Sequence, residues 1–229
     1  VGGCFPVASI LDPTYTMTVP AKQTAAGVSD IISHTFEQYF VAEGSMLSDG
    51  ICESMLKTVM HFGPIAIKEP TNFEARGEIF AASSFGCCGL LSLGRSPSPW
   101  PCHGIEHEVS AWYDITHGVG LAIITPHWMQ WCLDTDPALV APKFAQYGVN
   151  VFGLNPADGV DVNAAKAIEK TAEFFRSIGI TQTLSDFGID DSHFEAMAEH
   201  VTTAWVGDYK YAFVPMDKEA VLAVLRASL

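Results

Sequence analysis

Basic residues are scarce in this sequence. Its 229 residues include 12 Lys and Arg against 26 Asp and Glu, a formal net charge of −14. No Lys/Arg cluster is present. Nucleic-acid binding depends on cationic side chains that release counterions from phosphates, so that class is excluded. An anionic membrane surface is excluded for the same reason.

Long apolar runs are missing too. The longest stretches without Asp, Glu, Lys or Arg, Ile79 to Gly94 and Ile115 to Leu133, have 16 and 19 residues, and His117 and His127 interrupt the second. Spanning a bilayer takes about 20. Paired cysteines are also lacking. The six stand at 4, 52, 87, 88, 102 and 132, with no Cys-x-x-Cys, and neighbours such as Cys87 and Cys88 bridge poorly. The expected setting is reducing and cytoplasmic, with thiols serving as small core groups.

Several chemical signatures are absent. There is no Gly-x-Ser-x-Gly nucleophile elbow and no Gly-x-x-x-x-Gly-Lys-Ser/Thr phosphate loop. Gly118-Val119-Gly120-Leu121-Ala122-Ile123 comes nearest to a dinucleotide loop but lacks its third small residue.

What is present is a core. The chain is 48% hydrophobic and only 17% charged, enough for one large domain or two small ones. It opens on Val1 with an apolar, strand-like run to Leu11, followed by the turn Asp12-Pro13. Thr14 to Pro20 reads as extended. No basic leader precedes the run, so no signal peptide is expected. A lone strand has no partner for its backbone groups, so the sequence is read as part of a longer protein.

From Lys22 the period becomes helical. Val28, Ile31, Ile32, Phe36 and Tyr39 share one face. Helices are expected over 47–67 and 72–93, the second buried on every side. Further helices are expected over 103–112, 118–133 with a kink at Pro126, 164–178, 192–204 and 217–227. Residues 134–163 read as mixed turns. The expected class is mainly α, preceded by one strand.

Two segments carry candidate chemistry. In the first, Asp30 and His34 lie one turn apart on one helix face. Such a pair can grip a divalent ion or simply form a surface contact. In the second, His103, His107 and His117 fall within fifteen residues. His103 and His107 share a face, and a break at 113–116 can swing His117 back beside His103. The alternative is a set of hydrogen-bonded helix histidines. The Glu is misplaced for the zinc-protease His-Glu-x-x-His pattern. One carboxylate with imidazoles suits Fe(II) or Zn(II). One Asp against a divalent ion leaves the site net positive, which lowers the pKa of a bound oxygen.

These segments resemble the iron-containing (group III) alcohol dehydrogenases, in particular the NAD(P)H-dependent butanol dehydrogenase branch. The marks are Asp12-Pro13, Pro20, and Gly27, Asp30, His34, Glu37 and Tyr39 in Gly-x-x-Asp-x-x-x-His-x-x-Glu-x-Tyr. Then come Trp100, His103, Glu106-His107, Ala111 to Asp114 and His117-Gly118. Leu121 to Ile123, Pro126, Trp128 and Met129 also fit. The likeness covers about the first 135 residues well and the rest loosely.

The resemblance implies a dehydroquinate synthase-like fold. Residues 21–229 would be its helical metal-binding domain, and residues 1–20 the remnant and linker of an absent Rossmann-like NAD(P) domain. It implies Asp30, His34, His103 and His117 as metal ligands, for Fe(II) or alternatively Zn(II). His107 would be a proton-shuttling neighbour. The reaction would pass hydride between NAD or NADP and a short-chain primary alcohol or aldehyde. Trp100, Trp112 and Phe36 would make the substrate pocket apolar. The full-length enzyme would be a homodimer, and this portion alone would be inactive. The competing reading is a stand-alone metallohydrolase, whose general base would be Glu37, Glu106 or Glu108. A helical interaction domain without metal is a third.

Overall fold

The computed structural model describes residues 6–203 and 209–229. Among them there is no strand. The expected strand over 1–11 lies partly outside the described residues. Its remainder, 6–11, forms no ladder and leaves Val7 and Ile10 exposed. Extended backbone needs a neighbour to accept its hydrogen bonds, and no strand among the described residues lies beside it. Nor is 14–20 extended throughout. Pro13–Thr16 is a 3-10 turn capped by Asp12, whose side chain accepts from the Thr14 amide at 2.9 Å.

The rest is helical. α1 spans Ala21–Tyr39 and α2 Met46–Lys68. α3 spans Phe73–Gly86 and α4 Pro101–Tyr113. α5 spans His117–Thr135, continuing through Pro126, and α6 Pro137–Phe152. α7 is Val160–Ser177, α8 Phe194–Thr203 and α9 Lys218–Ala227.

Two sequence expectations fail here. Residues 134–163 are not mixed turns, because α6 fills most of them. The turn-forming residues are its caps. Asp136 accepts from the Leu139 amide at 3.1 Å, Pro137 opens the first turn, and Gly153 closes it at φ 70°. Helix α3 ends seven residues before the expected 93 and is not buried all round. Phe73 and Phe85 stay exposed. Phe85 lines an open apolar groove of about 730 Å³ between α2 and α3, with Met46, Leu47, Ile51, Met55 and Ala81.

The core forms where α1 packs between α2 and α5, with the α6–α7 hairpin against them. Phe36, Phe40, Phe144 and Tyr147 interlock there, with Phe40 and Phe144 centroids 4.7 Å apart and Phe36 and Phe40 5.0 Å apart. Every ring of this group is at most 1% exposed. The packing holds α1, α4 and the start of α5 rigidly enough to aim their polar side chains at one point.

Candidate metal centre

Helix α1 buries Val28, Ile31, Ile32 and Phe36. That choice of face leaves Asp30 and His34 half-buried, pointing toward α4 and α5. His103 enters in the first turn of α4, and His117 opens α5. The reversal between them is made by Asp114, a left-handed residue at φ 53°.

One contact sets α5 against α1. The backbone of Gly118 lies so close to Ala26 that any Cβ there would overlap the alanine carbonyl. The Ser29 hydroxyl bonds to the Gly118 carbonyl across the same crossing. Small residues thus bring His117 beside Asp30.

The result is a convergence on Asp30 Oδ1. His34 Nε2 lies 3.3 Å away, His117 Nε2 3.4 Å and His103 Nε2 3.5 Å. Asp30 Oδ1 and His103 Nε2 are buried without a hydrogen-bond partner. A carboxylate oxygen and imidazole lone pairs repel when aimed at one another unless protons or a metal cation lie among them. For a tetrahedral ion with bonds near 2.1 Å, neighbouring donor atoms are about 3.4 Å apart. The three distances from Asp30 Oδ1 fit that spacing; Asp30, His103 and His117 form a group whose ligand atoms all lie within 4.8 Å of one another, and His34 joins it through Asp30.

The electrostatics agree. Burial alone would raise the Asp30 carboxyl, but contact with His103, His117 and His34 holds it far below the ordinary carboxylate range. Burial opposes charge on His103, yet Glu37 and Asp30 push it up to about 9. Contact with Asp30 and Glu106 pushes His117 up to about 10. Without a metal the cluster therefore holds protons, which a divalent ion would displace.

His107 lies beside the cluster. Its ring is 6.0 Å from His103 and 5.2 Å from His117, and its ligand atom groups with those of Glu106 and His117, all within 4.8 Å of one another, rather than with Asp30 and His103. Burial and the neighbouring His117 lower its pKa. Trp100 closes another side, edge-on to His34 at 5.0 Å and 5.1 Å from His103. It adopts φ 56°, an unusual conformation for a bulky residue.

The expected apolar wall is only partly present. Trp100 is at the site, but Phe36 is wholly buried in the core. Trp112 turns away and stacks on His193 at 4.3 Å. Helix periodicity places a residue on a face without revealing which neighbour covers that face.

Two glutamates take positions that spacing did not reveal. Glu37 bonds to His103 Nδ1 and also accepts from the Cys102 amide at 2.6 Å. Glu106 bonds to His117 Nδ1 and to the Ser110 hydroxyl. They are 1% and 0% exposed. The third glutamate, Glu108, pairs with His200 at 2.6 Å.

Residues 24–229 match the model of the Fe-containing alcohol dehydrogenase family, C-terminal. The chain belongs to the iron-containing alcohol dehydrogenase family. It is 45% identical over 225 residues to NADH-dependent butanol dehydrogenase A of Clostridium acetobutylicum, covering 97% of this chain and 56% of that protein. It is 35% identical over 193 residues to the NADPH-dependent aldehyde reductase YqhD of Escherichia coli, covering 84% of this chain and 48% of that one. Among solved structures, NADH-dependent butanol dehydrogenase A of Thermotoga maritima superposes with a TM-score of 0.88 at 30% identity. That match covers 98% of this chain and 56% of the other. The chain thus spans just over half the length of these butanol dehydrogenases, and it forms the family's helical domain. No helix among the described residues is long and apolar enough to cross a membrane.

Proposed function

We propose that this chain supplies the metal-binding half of an NAD(P)-dependent alcohol dehydrogenase or aldehyde reductase. The reaction passes hydride between the nicotinamide and a short-chain primary alcohol or aldehyde. The carrying observation is the convergence of three histidine Nε2 atoms on Asp30 Oδ1. Asp30, His34, His103 and His117 would hold the metal, and its nitrogen and oxygen donors accept Fe(II) or Zn(II). When bound, the metal supplies Lewis acidity toward the oxygen of the substrate.

The chain's own residues do the rest. Trp100 shields one side of the cluster with an apolar ring. His107, whose pKa is lowered by burial and by His117, would exchange a proton with the substrate through an imidazole nitrogen. It sits one turn from His103, close enough to serve the same space without joining the ligands. The nucleotide site belongs to a second domain. Residues 1–20 are read as the tail and linker of that domain, and 21–229 as the metal domain. The relatives' greater length supports this division, and with it the expectation that this chain alone turns over no alcohol. The five unpaired cysteines among the described residues support a cytoplasmic setting, and the full-length enzyme is read as a homodimer.

A metallohydrolase is less well supported. It requires a carboxylate free to activate water, and all three candidates are engaged. Glu37 and Glu106 sit behind ligand histidines, and Glu108 is paired with His200.

The test has two parts. Elemental analysis of the purified chain should find one Fe or Zn per chain, lost in Asp30→Ala. An N-terminally extended chain carrying both domains should oxidise butanol with NAD or NADP. Ester or amide hydrolysis by the unextended chain, without nucleotide, would overturn the dehydrogenase reading.

A further inference from the structure

The two buried glutamates lie on the far sides of two ligand rings. Glu37 is 66 residues from His103 in sequence, and its Oε2 meets His103 Nδ1. Its other oxygen accepts from the amides of Cys102 at 2.6 Å and His103 at 3.3 Å, so the carboxylate is clamped to the start of α4. Glu106 repeats the arrangement on His117, with Oε2 on Nδ1 and Oε1 on the Ser110 hydroxyl. In each case the contacted nitrogen is the one turned away from Asp30.

The surroundings have made room for this. Gly120 stands one turn into α5, facing Glu106. A Cβ at that position would lie 2.6 Å from Glu106 Oε1 and 2.8 Å from its Cγ. A side chain at residue 120 would therefore displace the carboxylate. The Gly-x-Gly of residues 118–120 is thus a packing device. Gly118 admits α1, and Gly120 admits Glu106.

A buried carboxylate against Nδ1 has a definite effect on an imidazole. It holds the proton on Nδ1, which leaves the Nε2 lone pair free, and it fixes the rotation of the ring. It also raises the basicity of Nε2 by polarising the ring. The two carboxylates add charge as well. A divalent ion facing Asp30 alone would leave one net positive charge. With Glu37 and Glu106 counted, the assembly carries one net negative charge, which revises the sequence-based expectation of a positive site.

Resting on the metal site proposed above, we propose that Glu37 and Glu106 are positioning residues that fix the ring orientation and tautomer of His103 and His117. Gly120 is the vacancy that lets Glu106 reach its histidine. Each glutamate acts through the histidine it contacts, so both are positioning residues rather than catalytic ones.

The test uses this chain loaded with Co(II), whose visible bands report ligand geometry, together with chelator competition for affinity. Glu106→Ala should weaken Co(II) binding about 10- to 100-fold and shift the bands. Glu106→Gln keeps an acceptor for Nδ1–H. It should recover most of that affinity while still shifting the bands, because the charge is gone. Gly120→Ala should shift the bands in the direction of Glu106→Ala without altering any carboxylate. Glu37→Gln should act on His103 as Glu106→Gln acts on His117. Binding within twofold and unchanged bands in Glu106→Ala, with metal lost in Asp30→Ala, would overturn the assignment and leave the metal site standing. Full Co(II) retention in Asp30→Ala would overturn both. If Glu106→Ala does not fold, Glu106→Gln decides, and unchanged bands there refute the assignment.

Discussion

Gly118 packs its bare Cα against the carbonyl of Ala26, and no other residue type fits that contact. The crossing is what carries His117 from α5 to Asp30 on α1. Asp30 and His117 are 87 residues apart in sequence, yet Asp30 Oδ1 and His117 Nε2 lie 3.4 Å apart.

Gly118→Ala should therefore force α1 and α5 apart. The clash is with backbone, which cannot swing aside as a flexible side chain can. Overpacking of this kind costs about 3 kcal/mol or more. Thermal melting of the variant should show that loss, and metal content should fall with it. A variant of unchanged melting temperature and full metal content would contradict this account of the crossing.

His107→Ala should separate proton handling from metal binding. In the full-length enzyme, turnover should drop about 10²- to 10⁴-fold, the usual worth of a general acid–base group. Metal per chain should stay at the unsubstituted level. Loss of metal from this variant would make His107 a ligand instead.

The metal-free chain should lose stability as pH rises above neutrality. His103 and His117 have folded pKa values of about 9 and 10, above the ordinary value of 6.5. Over that interval the folded state binds more protons than the unfolded one. Their stabilisation is complete below pH 6.5 and is lost as pH passes through 9 and 10. Melting temperatures of the metal-free chain should decline from pH 6.5 to 9, and His117→Gln should flatten the decline. Metal loading should remove most of it, since a ligand nitrogen holds no proton. A flat profile for the metal-free chain would exclude this linkage.

A second buried network lies away from the Asp30 cluster. Glu53 Oε1 accepts from Tyr39 at 2.7 Å, Gln146 at 2.8 Å and Asn150 at 2.9 Å, tying α1, α2 and α6 together. Glu53→Ala leaves those donors without their acceptor. It should destabilise the chain by about 3 kcal/mol with metal stoichiometry unchanged. Chemical denaturation and elemental analysis on the same sample separate the two effects.

The sequence by itself determined the helical class and the residues that meet at the centre. Helix periodicity is local: Asp30 and His34 share a face because they are four residues apart, and so do His103 and His107. The resemblance then singled out Asp30, His34, His103 and His117 for the metal, with His107 set beside them; the structure brings Nε2 of His34, His103 and His117 within 3.5 Å of Asp30 Oδ1, which supports the proposed metal site. Caps were harder to read, because Asp136, Pro137 and Gly153 are residues that serve turns and helix ends alike, so α6 was taken for loop. Only the tertiary structure decided what stands behind His103 and His117. Glu37 meets His103 across 66 residues, Gly120 clears space for Glu106, and Phe36 sinks into the core instead of lining the site. Those outcomes depend on how α1, α4 and α5 cross, and crossings follow from side-chain volumes packed from several segments at once, which no periodicity along a single segment records.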